Sequence, residues 1–302
     1  MPNAERPLPV GPRGVVDTHA HLTMAPRATP DEPWQRAAHR WLQRAKQVHM
    51  RGVIAIAEAT QPALCSELLH LVHGDAGMAL VLGAHPHEAQ HVSATVLGAI
   101  SDAAKRHRDK VVAIGEIGLD YHYNHSPPAV QRDAFVRQLR LARVLGLPVV
   151  IHTREAEADT LSILNDEWDS AQTGVFHCFS GGDALADAAL EMGVYLSFSG
   201  VVTFPKAQEI AQVAARIPAS SMLVETDAPF LAPVPLRGRK NEPANALYTL
   251  GKLAELRGVD ADVLARQTAE NARRCFGLPS DWGWDATAGE GATTAALRLP
   301  ST

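Results

Sequence analysis

Short apolar runs recur along the chain, and longer segments of helical periodicity separate many of them. The runs are Val15–Val16, Val53–Ala57, Ala79–Gly83, Val111–Gly115, Pro148–Ile151, Gly174–Phe176, Val194–Phe198 and Met222–Val224. Several are continuous rather than alternating, as expected of parallel strands covered on both faces. Between them, Glu32–Met50 puts Trp34, Ala38, Trp41, Leu42 and Ala45 on one helical face. Val130–Leu145 does the same with Phe135, Leu139 and Ala142, and Gly146 follows as a helix terminator. Ala184–Met192, Ala207–Ile217, Ala244–Arg257 and Asp262–Phe276 read as further helices. Eight strand–helix beats predict an α/β fold, a TIM (β/α)8 barrel, over an open doubly wound sheet.

The 302 residues fit one such barrel, which commonly takes about 250. The expected domain is 14–279. A Pro-rich flexible arm, 1–13, precedes it, and a tail rich in Gly, Ala and Thr, 280–302, follows, with Trp282 and Trp284 docking part of that tail. No internal repeat stands out.

Barrels of this kind carry their chemistry at the C-terminal ends of the strands, so those ends matter most. The first run stops in Asp17-Thr18-His19-Ala20-His21, the second in Glu58-Ala59-Thr60 and the third in His85-Pro86-His87-Glu88. The fourth runs into Glu116-Ile117-Gly118-Leu119-Asp120, the fifth into His152-Thr153-Arg154-Glu155 and the sixth into His177-Cys178-Phe179-Ser180. The seventh ends at Ser199-Gly200 and the eighth at Glu225-Thr226-Asp227. A structural rim has no reason to gather so many desolvated histidines and carboxylates. One such histidine would be ordinary core packing. Four at four strand ends, beside Glu116 and Asp227, read as metal ligands.

Reach assigns them. His19 and His21 lie two apart on one strand and share a face. Closure of the barrel adds Asp227 to them, while His152 and His177 come from neighbouring strands. Glu116 can bridge the two groups with its two oxygens. The expected cofactors are two divalent ions, zinc, manganese or magnesium, which activate water for displacement at phosphorus. Glu116 and Asp227 are the expected catalytic residues, with Asp227 accepting the water proton.

Substrate contacts are assigned to His87, Arg154 and Arg237. His87 could hold a phosphate oxygen or pack below the rim. Arg154 could clamp phosphate or pair with an internal carboxylate. Arg237 opens the basic run Arg237-Gly238-Arg239-Lys240, which is either a solvated loop or a contact to a nucleic-acid backbone. Asp120 either orients a ligand or caps a turn. Ser180 could bond a phosphate or shape its turn. Tyr121 and Phe204 read as packing residues. Strand alternation turns Cys178 away from His177, so it reads as buried and inert.

Net charge is −5, which argues against a long phosphate-coating surface. The 3 cysteines form no Cys-x-x-Cys pattern and predict a reducing, cytoplasmic setting. No leader pattern opens the chain, and no apolar run approaches the ~18 residues of a membrane span. Nothing implies a stable protein partner.

From about Val15 to Gly277 the chain resembles the TatD family of metal-dependent hydrolases, within the amidohydrolase-like barrels. The matching segments are Asp17-Thr18-His19-Ala20-His21, Gly83-Ala84-His85-Pro86-His87, Gly115 to Tyr121, Val150 to Glu155, Phe176 to Gly181, Glu225 to Pro229, Pro235 to Pro243 and Thr268 to Asn271. The resemblance implies a two-metal barrel that hydrolyses phosphodiesters, with DNA as the usual substrate and the 3′ end as a frequent point of attack, in a 3′-5′ exonuclease manner. It implies His19, His21, Glu116, His152, His177 and Asp227 as the ligands. The alternative is a two-metal hydrolase of another ester or amide, such as aminoacyl-tRNA, a lactone or a cyclic amide. Two stretches depart from the family pattern, Glu58-Ala59-Thr60-Gln61 and the irregular Met24–Pro33. Both bear on substrate more than on metal.

Overall fold

The computed structural model describes residues 7–284. β1 (Val16–Ala20), β2 (Gly52–Glu58), β3 (Met78–Gly83), β4 (Val111–Asp120), β5 (Val149–Arg154), β6 (Gly174–Phe176), β7 (Tyr195–Phe198) and β8 (Met222–Val224) pair in parallel, in sequence order. A parallel bridge from Ala20 to Ala228 returns the sheet to β1. At the same seam Asp227 N–H donates to the His19 carbonyl at 2.9 Å and His21 N–H to the Ala228 carbonyl at 2.8 Å. The result is the expected TIM (β/α)8 barrel.

Around it run α1 (Trp34–Gln47), α2 (Pro62–His73), α3 (Ala94–Arg106), α4 (Pro128–Leu145), α5 (Glu157–Glu167), α6 (Asp183–Glu191), α7 (Gln208–Arg216), α8 (Ala246–Arg257) and α9 (Ala261–Phe276). The helices assigned from periodicity form within a few residues of their expected ends. α2, α3 and α5 fill intervals that periodicity left unassigned. Among the described residues no helix is long and apolar enough to cross a membrane.

Strand alternation divides the apolar residues between two cores. Val53, Ala55, Leu80, Leu82, Ile114 and Ile151 pack outward against the helices. Ile54, Ile56, Val81, Val112, Val150 and Leu223 fill the barrel itself, together with Phe276, Leu278 and Trp282. α9 and the segment after it therefore plug the N-terminal end. The Trp282 ring occupies the space where Gly52 lacks a side chain, and the Trp284 ring does the same at Gly77. Trp284 also donates its indole N–H to Asp75. The expected tail is thus packed on the barrel through Trp284, and its remainder lies outside the described residues. Of the expected arm, Leu8 packs against the helix-side core, and residues 1–6 lie outside the described part. With one end plugged, the polar rim is left at the other.

Candidate metal centre

A cavity of about 860 Å³ opens at the C-terminal ends of the strands. His21, His85, His87, Glu116, Asp120, His152, His177 and Asp227 line it, and His19 lies fully buried against Glu116. Two irregularities in the sheet help aim these groups. Between Asp17↔Val53 and Ala20↔Ala55, β1 advances three residues while β2 advances two. Between Ile114↔Val149 and Ile117↔Ile151, β4 gains a residue on β5 in the same way. Such bulges re-aim side chains next to active sites. Here they contain His19 and Glu116. From the second bulge onward, Ile117 and Leu119 pack into the helix-side core, while Glu116 and Asp120 line the cavity. Gly118 between them has φ +140°, and a Cβ there would overlap the His152 carbonyl, so only glycine fits this crossing.

Glu116 is the hub. Its Oε2 lies 3.3 Å from His19 Nε2 and 3.9 Å from His21 Nε2. Its Oε1 lies 2.6 Å from His177 Nε2 and 2.8 Å from His152 Nδ1. Asp227 Oδ1 closes the first group, 3.2 Å from His21 Nε2 and 3.8 Å from His19 Nε2. Asp227 adopts φ +54°, a left-handed conformation that aspartate tolerates better than most residues. Burial opposes ionisation of Glu116, but the imidazoles of His177, His85 and His19 outweigh it and hold the carboxyl well below its usual range. Burial, aided by His177, pushes His19 toward the neutral ring. A carboxylate and a neutral imidazole are the forms in which metal ligands bind. The carboxylates beside His21, His152 and His177 instead favour their protonated rings, so a cation binding there would displace those protons.

The donor set fits a divalent cation. Both ring nitrogens of His19 are buried without a hydrogen-bond partner, and orphaned buried polar atoms of this kind call for an unseen partner. The nitrogens of His152 and His177 meet at 3.1 Å on one carboxylate oxygen, a convergence of lone pairs that a cation relieves. Two carboxylates set the orientation of these rings. Asp120 Oδ2 lies 3.2 Å from His152 Nε2, and Glu225 Oε1 lies 3.3 Å from His177 Nδ1. The Asp120 contact is a hydrogen bond, whereas His177 Nδ1 lies near Glu225 without hydrogen-bond geometry. In both rings a carboxylate stands by the far nitrogen and the near one faces the centre.

His85 also reaches Glu116, at 3.5 Å, and with His152 could complete a third trio. Its tautomer argues otherwise. His85 Nδ1 accepts the His87 backbone N–H at 3.1 Å, so the proton of the neutral ring sits on Nε2. His85 therefore points an N–H, not a lone pair, into the cavity.

The other candidates divide. Asp120 fills both of its expected roles: it also accepts the Tyr123 N–H at 2.9 Å, capping the turn. His87 directs Nε2 to Asp120 at 3.0 Å and remains on the cavity wall. Arg154 lines the cavity too, but the internal ion pair considered for it does not form among the described residues. Its guanidinium lies over the Tyr123 ring instead, 4.9 Å from the centroid. Arg237 sits over Phe204, 4.6 Å from the centroid, away from the cavity wall. Ser180 lines the cavity, and Tyr121 donates to Asp159 at 2.6 Å.

Cys178 departs from expectation. β6 ends at Phe176 and Cys178 adopts φ +45°, so strand alternation does not extend to it and it lines the cavity. Burial raises its thiol well above the usual range, which leaves it a poor nucleophile. Two further residues support the centre without having been assigned a role. Asp17 accepts the Thr226 N–H at 2.9 Å and the Thr226 hydroxyl at 2.6 Å, tying β1 to the turn that carries Asp227. Asn241 donates to the Thr226 carbonyl at 2.9 Å from the other side. By alternation Asp17 should share the face of His19, and the bulge is what frees it for this clamp.

Known proteins carry the same arrangement of sequence and fold. Residues 16–277 match the family described as TatD related DNase. The chain is 35% identical over 260 residues to an uncharacterized metal-dependent hydrolase, YabD, of Bacillus subtilis (strain 168), covering 86% of this chain and 98% of that one. It is 41% identical over 201 residues to the 3'-5' ssDNA/RNA exonuclease TatD of Erwinia amylovora, covering 65% of this chain and 77% of the relative. The crystal structure of YJJV, a TatD homolog from Escherichia coli K12, superposes with a TM-score of 0.78 at 30% identity, over 88% of this chain and 98% of that one. On sequence and fold, the chain belongs to the TatD-related DNase family.

Proposed function

We propose that this protein is a two-ion hydrolase that removes nucleotides from the 3′ ends of DNA strands. One observation carries the reading: Glu116 divides its oxygens between two groups of imidazoles, and Asp227 closes the first. His19, His21 and Asp227 would hold one divalent ion, His152 and His177 the other, and Glu116 both. Mixed nitrogen and oxygen donors suit zinc, manganese or magnesium. When bound, such ions supply Lewis acidity, which acidifies water and neutralises phosphate charge.

The rest belongs to the chain's own residues. Asp227 Oδ1 is the oxygen nearer the imidazoles of His19 and His21. Oδ2 is the base that takes the proton of the attacking water. The His85 Nε2–H donates to a non-bridging phosphate oxygen as negative charge grows there. Arg154 meets the next phosphate along the strand. Asp120 keeps His152 in its ligating tautomer, and Glu225 stands by the far nitrogen of His177. The Erwinia amylovora relative, named as an exonuclease on single-stranded DNA and RNA, supports a nucleic-acid substrate. The cysteines Cys65, Cys178 and Cys275 are all free, which supports work in the reducing cytoplasm.

The test is a substrate panel run with manganese, magnesium or zinc: 3′-labelled single- and double-stranded DNA, RNA, an aminoacyl-tRNA and a lactone. The expected result is metal-dependent shortening of single-stranded DNA from its 3′ end, abolished by Asp227→Ala. Faster turnover of the aminoacyl ester or the lactone than of any oligonucleotide would replace this reading with the ester hydrolase.

A further inference from the structure

The cavity is larger than the cluster of imidazoles and carboxylates at its base. Its volume, about 860 Å³, is that of a site for a whole small molecule. Away from the histidines part of its wall is apolar, bordered by the polar side chains of Thr23, Glu58 and Gln61. Leu64, Cys65 and Leu68 of α2 line it, together with Ile56 of the barrel interior and Met24 of the loop after β1. Leu64 and Leu68 are one helical turn apart and Cys65 stands beside them, so the three form a stripe on one face of α2. Leu68 roots the stripe in the core at 0% exposure, while Leu64 and Cys65 are half-buried. Met24 is 51% exposed, an unusual position for an apolar side chain unless something covers it.

The lobe and the histidine cluster share one cavity, so one substrate can occupy both. No cation lines the lobe wall just described, so it has nothing to hold a second phosphate. A nucleotide offers one part with apolar faces, its base. The base would slide between the α2 stripe and Met24, whose flexible thioether adapts to different ring shapes. Gln61, at the mouth of the lobe, carries an amide that both donates and accepts, so it can meet the edge of any base. The Glu58 carboxylate beside it is already engaged by Thr60 and the His85 N–H, so the apolar stripe and this amide would receive a base with little choice among bases.

We propose that the lobe between α2 and the loop after β1 seats the terminal nucleobase of the strand being cut, making recognition depend on an unpaired end. This rests on the phosphodiesterase reading above. A base must leave its pair and its stack to enter, so a frayed or single-stranded end enters more readily than a closed duplex end.

The experiment uses Leu64→Trp, which fills the lobe without touching the histidine cluster, and Met24→Ala, which removes the exposed wall. Two oligonucleotides are compared, identical except that one ends in an abasic 3′ residue. Binding of a deoxynucleoside monophosphate is compared with that of inorganic phosphate by calorimetry. The wild type should prefer the base-bearing end by tenfold or more in kcat/KM. Leu64→Trp should erase that preference by slowing the base-bearing substrate alone. It should also weaken the monophosphate at least tenfold and leave inorganic phosphate unchanged. Met24→Ala, at an exposed position that cannot unfold the barrel, should lower the preference severalfold. If the wild type shortens DNA but cleaves both ends equally, the lobe is not a base site and the function stands. If Leu64→Trp slows both ends equally, or weakens both ligands alike, the proposal also fails. If no oligonucleotide is cleaved, the functional reading falls and the base site falls with it.

Discussion

Replacing Asp120 by asparagine alters one atom and should disable half of the centre. The Asp120 side chain is 1% exposed, and its Oδ2 faces His152 Nε2 at 3.2 Å and His87 Nε2 at 3.0 Å. Its Oδ1 accepts the Tyr123 N–H at 2.9 Å. In Asp120→Asn the remaining oxygen stays with that N–H, and an amide NH2 turns toward two ring N–H groups. Donor then faces donor. His152 escapes by moving its proton to Nδ1, the nitrogen that lies 2.8 Å from Glu116 and faces the centre. A hydrogen bond to a charged group contributes about 1.5–3 kcal/mol. By the usual conversion of about 1.4 kcal/mol per tenfold, that is roughly 10–100-fold in affinity, the range seen when the partners of metal ligands are removed. Calorimetric titration of the metal-free protein with manganese reads this directly. The step assigned to His152 and His177 should weaken 10–100-fold, and the step assigned to His19 and His21 should stay within about threefold. Unchanged affinity at both steps would refute the tautomer argument, since the substitution leaves shape and packing intact.

Other consequences follow from particular contacts. Gly118→Ala puts a Cβ on the His152 carbonyl at φ +140°, so it should cost about 3 kcal/mol or more in urea denaturation; a loss under about 1 kcal/mol would mean that the β4–β5 crossing relaxes easily. Removing divalent ions with a chelator should lower Tm and adding them back should restore it, with the unfolding free energy changing by up to about 4.1 kcal/mol for a site at 1,000 times its Kd; an unmoved Tm contradicts binding at a buried centre. Arg154→Ala should weaken oligonucleotide binding and reduce its log–log salt slope by about one, with metal affinity unchanged; an unaltered slope would assign Arg154 to stacking on Tyr123 alone.

The sequence made the barrel legible because parallel strands buried on both faces leave continuous apolar runs. It hid the upper half of β4. There Glu116, Gly118 and Asp120 interrupt the apolar residues, and the apolar run stops at Gly115 although every residue through Asp120 is buried. α2 escaped notice for a related reason: part of its apolar stripe faces a cavity rather than the sheet, which blurs the two-faced pattern. The six candidate ligands could be found because strand ends in a barrel converge, whatever the details between them. Their supports could not. The Asp17 clamp depends on a bulge, the Cys178 placement on a left-handed residue, and the His85 tautomer on a backbone N–H two residues away. None of these follows from alternation. Arg154 stacks on Tyr123 because β5 and the turn after β4 bring the two together, a tertiary contact no local pattern encodes.

The central claim is that one carboxylate joins two ion sites. Metal stoichiometry of the reconstituted wild type and of Glu116→Gln, measured by elemental analysis after equilibrium dialysis against manganese, tests it most directly. The account predicts two ions per wild-type chain and the loss of at least one in Glu116→Gln, with the barrel still folded by circular dichroism. A wild type that saturates at one ion, or a Glu116→Gln protein that retains two at wild-type affinity, would contradict it.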